Sequence, residues 1–96
     1  MHVNKNIIRK LRAEIDEIDA DIIRMLARRF QAVQRIGYLK KKFNLQVEDN
    51  ERENFLHKRL EELAIQNNLD FSFLDRLWKE ILKESYRIQL KSRSHE

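Results

Sequence analysis

Apolar residues recur along this chain every three or four positions. From about Asn4 to Phe43 they form one stripe: Leu11, Ile15, Ile18, Ile22 and Met25, then Ala32, Ile36, Leu39 and Phe43. Alternating steps of four and three keep one face of an α-helix apolar, so a long amphipathic helix with a coiled-coil-like seam is predicted. A second stripe, Leu56, Leu60, Leu63 and Ala64, predicts a helix from about Asn50 to Gln66. A third, Leu74, Trp78, Ile81 and Ile88, predicts one from about Phe71 to Lys91. The period lapses around Phe43 to Asp49 and again at Asn67 to Asp70. Asn50 with Glu53 three residues on fits a capping box, with Asp49 as the alternative cap. Asp70 or Ser72 would cap the third helix.

Composition narrows the fold class to all-α. The chain has 96 residues, one Gly, no Pro and no Cys. Hairpins and tight turns draw on Gly, Pro and Asn-Gly, so a sandwich or barrel is not expected. Without Cys there is no disulfide, no thiolate nucleophile and no cysteine-bound zinc. Hydrophobic residues make up 42%, enough for a core. Apolar runs are too short for a membrane span, and Met1 to Lys10 contains no secretory h-region. A soluble, cytoplasmic, single-domain chain is expected, with residues Ser92 to Glu96 frayed. Gly37 marks either a close approach or a tolerated interior glycine.

Length adds a constraint. A helix of about 39 residues is about 58 Å long, against a diameter near 30 Å for a compact chain of this size. Its stripe continues nearly to both ends, and the other two helices together are barely as long. A homodimer in which the long helices pack together is the expected cover.

Polar residues interrupt the apolar registers. Arg29 falls between Met25 and Ala32, and Lys40 lies on its face, about 16 Å along the axis. Glu53 borders the Leu56–Leu60 stripe with Arg52 beside it. Ser85 and Gln89 are an i, i+4 pair on the third helix. An arginine is seldom buried unless paired, so something acidic should meet Arg29 and Lys40. Either Asp49 and Glu53 supply it, as a structural network, or a bound anion does.

The ordered set of these residues carries a resemblance. It runs Leu11-Arg12, Ile15-Asp16 and Ile18-Asp19, then Arg28-Arg29 and Ile36-Gly37 with Lys40. Val47, Asp49 and Arg52-Glu53 follow, then Glu84-Ser85 and Gln89. From about Ile7 to Gln89 the chain resembles the all-α class of chorismate mutases. The resemblance implies three helices per chain, an intertwined homodimer, chorismate as substrate and rearrangement to prephenate without any cofactor. It further implies roles for eight residues. Arg12 and Arg29 would grip the two carboxylates, and Ser85 would add a hydrogen bond on the carboxylate side. Lys40 and Gln89 would donate to the ether oxygen. Glu53 and the Asp49 main chain would hold the ring hydroxyl, and Arg52 would orient the substrate or its neighbouring carboxylates. Arg12 is 17 residues from Arg29, about 25 Å along a straight helix, so it is expected to arrive from the partner chain.

Other functions leave weaker traces. Isochorismate pyruvate-lyases share the scaffold, but the acidic and hydroxyl residues at positions 53 and 85 favour the mutase. A net charge of +4 invites a nucleic-acid reading. The charges are interspersed, however, and the aromatics sit mostly on apolar stripes, so neither a nucleic-acid nor a membrane partner is expected. A helical binding module and a mutase dependent on another shikimate-pathway enzyme remain as alternatives. His2, His57 and His95 lack ligand spacing, and no metal site is expected.

Overall fold

The computed structural model describes residues 2–94, with side chains from residue 4 to residue 92. These residues form three α-helices and no strand: α1 (His2–Lys42), α2 (Asn50–Gln66) and α3 (Phe71–Ser94). The first helix begins about two residues earlier than the pattern suggested. The third runs about three residues further, to Ser94, so Ser92 is helical rather than frayed. Its hydroxyl donates to the Ile88 carbonyl at 2.8 Å. His95, Glu96 and the side chain of His2 lie outside the described residues.

Two compact units divide the chain between Ala32 and Val33. The first is helical over its described residues, and its stripe is half-exposed: Leu11 52%, Ile18 49% and Met25 58%. The second unit holds the core. Val33, Leu60, Ala64, Leu74 and Ile81 are buried, and with them two polar residues, Ser85 and Gln89. Among the described residues no helix is long and apolar enough to cross a membrane.

The caps explain where the helices begin. Asp49, not Asn50, caps α2: its extended backbone (φ −144°, ψ 92°) turns a carboxylate oxygen to accept from the Arg52 N–H at 3.0 Å. Asp70 caps α3 in the same way, accepting from the Phe73 N–H at 3.2 Å. Each carboxylate satisfies one of the N–H groups that a helix leaves without an internal partner and complements the positive end of its dipole.

The helix ends are set by asparagine rather than glycine. Asn44 and Asn68 both have φ 56°, the left-handed region. After α1 the Leu45 N–H reaches back to the Lys40 carbonyl at 2.6 Å and the Asn44 N–H to Lys41 at 3.1 Å. After α2 the Leu69 N–H bonds to Ala64 at 2.9 Å and the Asn68 N–H to Ile65 at 3.3 Å. Both are Schellman motifs, in which one left-handed residue folds two N–H groups back onto orphan carbonyls. Asparagine tolerates this conformation better than other residues with a Cβ. A chain almost without glycine can therefore still stop a helix and turn.

Asn68→Ala should destabilise the fold by about 1 kcal/mol, because alanine at positive φ is strained. Asn68→Gly should stay much closer to wild type. Thermal unfolding followed by circular dichroism checks the pair.

Candidate functional site

The last turns of α1 and of α3 meet at Gly37. A Cβ on this residue would lie 2.8 Å from the Gln89 Cα, 3.0 Å from the Gln89 carbonyl oxygen and 3.2 Å from the Ser92 Cβ. Two of those three atoms are backbone, so no side-chain rotation relieves the clash. Of the two sequence readings, Gly37 is a point of close approach. Its φ is not positive, so a missing side chain, and not a special dihedral, is what the position needs.

That approach places Lys40, one turn further along α1, against α3. The Lys40 ammonium donates to the Gln89 Oε1 at 3.0 Å and to the Val47 carbonyl at 2.7 Å. Lysine has three protons and no acceptor, so only the oxygen of the Gln89 amide can face it. The contact thereby fixes the amide's direction and leaves the Gln89 NH2 as a donor. Lys40 also ties α1 and α3 to the link between α1 and α2, since Val47 belongs to that link. Both of its partners are neutral, so the cluster keeps a full positive charge.

Ser85 is buried one turn before Gln89 and donates its hydroxyl to the Ile81 carbonyl at 2.8 Å. Glu53, in the first turn of α2, is half-buried, and the Tyr86 phenol of α3 donates to its Oε1. This differs from the capping-box expectation: Glu53 looks across to α3, not back to its own helix start. Burial pushes the Tyr86 phenol up to about 12, reinforced by its bond to Glu53 and by the charges of Glu53, Glu48 and Asp49. Asp49 and Arg52 are exposed at the head of α2, and the Arg52 guanidinium lies 5.2 Å from the Phe55 ring centroid. Arg12 and Arg29 belong to the first unit. Arg12 is exposed, and Arg29 is half-buried with its guanidinium 5.9 Å from the Phe30 ring centroid.

Of the eight positions singled out, the second unit holds six: Lys40, Asp49, Arg52, Glu53, Ser85 and Gln89. Lys40 and Gln89 touch, and Asp49 and Arg52 are joined through the cap. Glu53 is engaged by a residue outside the set. Tyr86 was not singled out, because it falls one position off the α3 seam, where helical periodicity assigns no partner. The signal for it was its place four residues after Leu82 and three before Gln89, on the flank of a face already carrying polar groups.

Fold and site together define a class: an all-helical domain that gathers charged and hydrogen-bonding side chains, with no nucleophile–base pair among the described residues. The pattern of the chorismate mutase type II family matches residues 11–90, and the chain belongs to that family. It is 38% identical over 88 residues to a bifunctional chorismate mutase/prephenate dehydratase of Buchnera aphidicola subsp. Schizaphis graminum, a match covering 92% of this chain and 23% of that protein. It is 24% identical over 80 residues to a chorismate mutase of Methanocaldococcus jannaschii, covering 83% of this chain and 81% of that one. A bifunctional chorismate mutase/prephenate dehydratase of Aquifex aeolicus is 40% identical over 53 residues. The chain thus spans about a quarter of the length of the Buchnera protein.

Gly37→Ala tests the close approach. Alanine gains about 1 kcal/mol of helix propensity over glycine, but forcing atoms into a packed contact costs about 1–3 kcal/mol. A lowered thermal midpoint is expected despite the gain in propensity, and a raised one would show that the two helices separate freely.

Proposed function

We propose that this chain is a chorismate mutase domain that rearranges chorismate to prephenate. The observation that carries this reading is the Lys40–Gln89 contact, two donors held side by side by α1 and α3 in a member of this family. The reaction is an intramolecular Claisen rearrangement. One carbon–oxygen bond breaks as one carbon–carbon bond forms, and the protein neither attacks nor deprotonates anything. A site without a nucleophile is suited to that chemistry. Catalysis then consists of holding the chair-like conformer and stabilising charge at the ether oxygen as the bond breaks.

The proposed roles follow from what each side chain still has to give. Lys40 has committed two protons, to Val47 and Gln89, and has a third for the ether oxygen. The Gln89 NH2, turned outward by the same contact, is the second donor. The substrate is a dianion, for which arginines are the natural counterparts. Arg29, and Arg12 from a second copy, would hold its carboxylates. Ser85 would join them by swinging its hydroxyl away from the Ile81 carbonyl. Glu53 and the Asp49 main chain would receive the ring hydroxyl, with Arg52 orienting the substrate or its neighbouring carboxylates. No cofactor is required.

The same proposal includes a homodimer. The stripe from Leu11 to Met25 is half-exposed, and covering the rest is worth on the order of 1 kcal/mol per residue. A second copy of α1 would cover it and bring in Arg12. The alternative activity, isochorismate pyruvate-lyase, uses the same anionic groups. Glu53 and Ser85 support the mutase over it.

Two measurements test this. Purified chain given chorismate should consume it with prephenate as product, and Lys40→Ala should lower kcat by about 100- to 1,000-fold. Release of pyruvate from isochorismate without prephenate from chorismate would replace the mutase by the lyase. Separately, Arg12→Ala and Arg29→Ala chains, each nearly inactive alone, should recover activity when refolded together, since one site per heterodimer is then intact. Absence of recovery above the two homodimers would count against a shared site.

A further inference from the structure

Glu53 and Tyr86 face a common groove between α2 and α3, of about 320 Å³, whose walls include Leu56 and Leu82. Nothing in the proposed roles above uses Tyr86. It is nonetheless the residue that donates to the Glu53 carboxylate, across two helices. We infer that Tyr86 is a positioning residue for recognition of the substrate's ring hydroxyl. By donating to Glu53 Oε1 it fixes the carboxylate so that the other oxygen, Oε2, is presented to that hydroxyl. This inference rests on the mutase reading.

The geometry supports it in three ways. A glutamate side chain has several rotatable bonds and loses considerable freedom when it must hold one orientation. One directional bond from a half-buried ring supplies that orientation before substrate arrives. A carboxylate has two oxygens and about four acceptor sites, so a phenol on Oε1 leaves Oε2 able to accept from a hydroxyl. The phenol also remains a donor under all working conditions. Burial, together with the surrounding Glu53, Glu48 and Asp49, pushes it up to about 12. It therefore keeps its proton near neutral pH, and with it the bond to Glu53.

Tyr86 is also anchored independently of Glu53. It sits on α3 directly after the buried Ser85 and one turn before the buried Gln89, on a helix whose position is set by the Gly37 contact. Glu53 is at the head of α2, whose start is held by the Asp49 cap. The phenol therefore links the α3 residues proposed to meet the ether oxygen with the α2 residue proposed to meet the hydroxyl. The ether oxygen and the hydroxyl stand on adjacent ring carbons, so the phenol would set the spacing between the residues that meet these two neighbouring oxygens.

The test compares wild type and Tyr86→Phe on two substrates: chorismate, and an analogue with hydrogen in place of the ring hydroxyl. Phenylalanine keeps the ring and its packing and removes only the donor. With chorismate, Tyr86→Phe should raise KM about tenfold, the size expected for loss of a bond to a charged group, while kcat stays within about twofold. With the analogue, which offers Glu53 nothing to accept, both constants should be unchanged. In a Glu53→Gln background, adding Tyr86→Phe should cause no further loss on chorismate. Equal losses on both substrates would mean a structural role, and no loss on either would mean no role; each overturns the positioning assignment while prephenate formation by wild type keeps the mutase reading intact. A wild-type chain that forms no prephenate removes the mutase reading and this inference together.

Discussion

A lysine ammonium drawn partly out of water has to be met by acceptors, and Lys40 finds two that belong to different parts of the chain. One is the Val47 carbonyl of the first link and the other is the Gln89 amide oxygen of α3. A single side chain therefore ties together α1, the first link and α3. The arrangement is possible only because Gly37, three residues earlier, has no Cβ to hold α3 away. Two features of the sequence, one missing side chain and one long cation, set how α1 meets α3 within the second unit.

The links between helices serve the same point. The left-handed Asn44 turns the chain sharply off α1, so that Val47 returns toward Lys40 within a few residues. The Asp49 cap then starts α2 without delay, and Glu53 is carried toward α3 in the first turn. A looser link would need more residues or more glycine, and would fix neither the carbonyl nor the carboxylate. Short, self-satisfied turns are the reason that polar side chains from three segments have defined partners.

Much of this was readable from spacing. Three apolar stripes gave three helices, and Asp49 and Asp70 stood where caps are needed. Of the polar residues in apolar registers, Ser85 and Gln89 are buried, and Lys40 is bonded to Gln89. Other features were not readable, for physical reasons. Gly37 had two readings because a glycine's use depends on what lies opposite, and no local pattern encodes that. Glu53 matched a local capping motif, yet its partner is 33 residues away on a face chosen by tertiary packing. Tyr86 carries little local signal, because an aromatic ring one position off a seam resembles ordinary flanking packing. Local rules find positions that are unusual; they do not give the direction in which a polar group will turn.

The Lys40 cluster differs in kind from the ion pairs on the surface, such as Lys79 with Asp75 at 2.9 Å. It joins a charge to two dipoles rather than to an opposite charge. Ion–dipole attraction falls off faster with distance than attraction between ions, and mobile salt has little room to intervene at hydrogen-bond contact. The unneutralised charge of Lys40 still projects a long-range field, and that field is open to screening. Rising ionic strength would thus weaken the pull on an approaching anion well before it loosened the contacts that hold the lysine in place. In this chain, attraction from a distance and rigidity at contact originate at one atom but respond to salt separately.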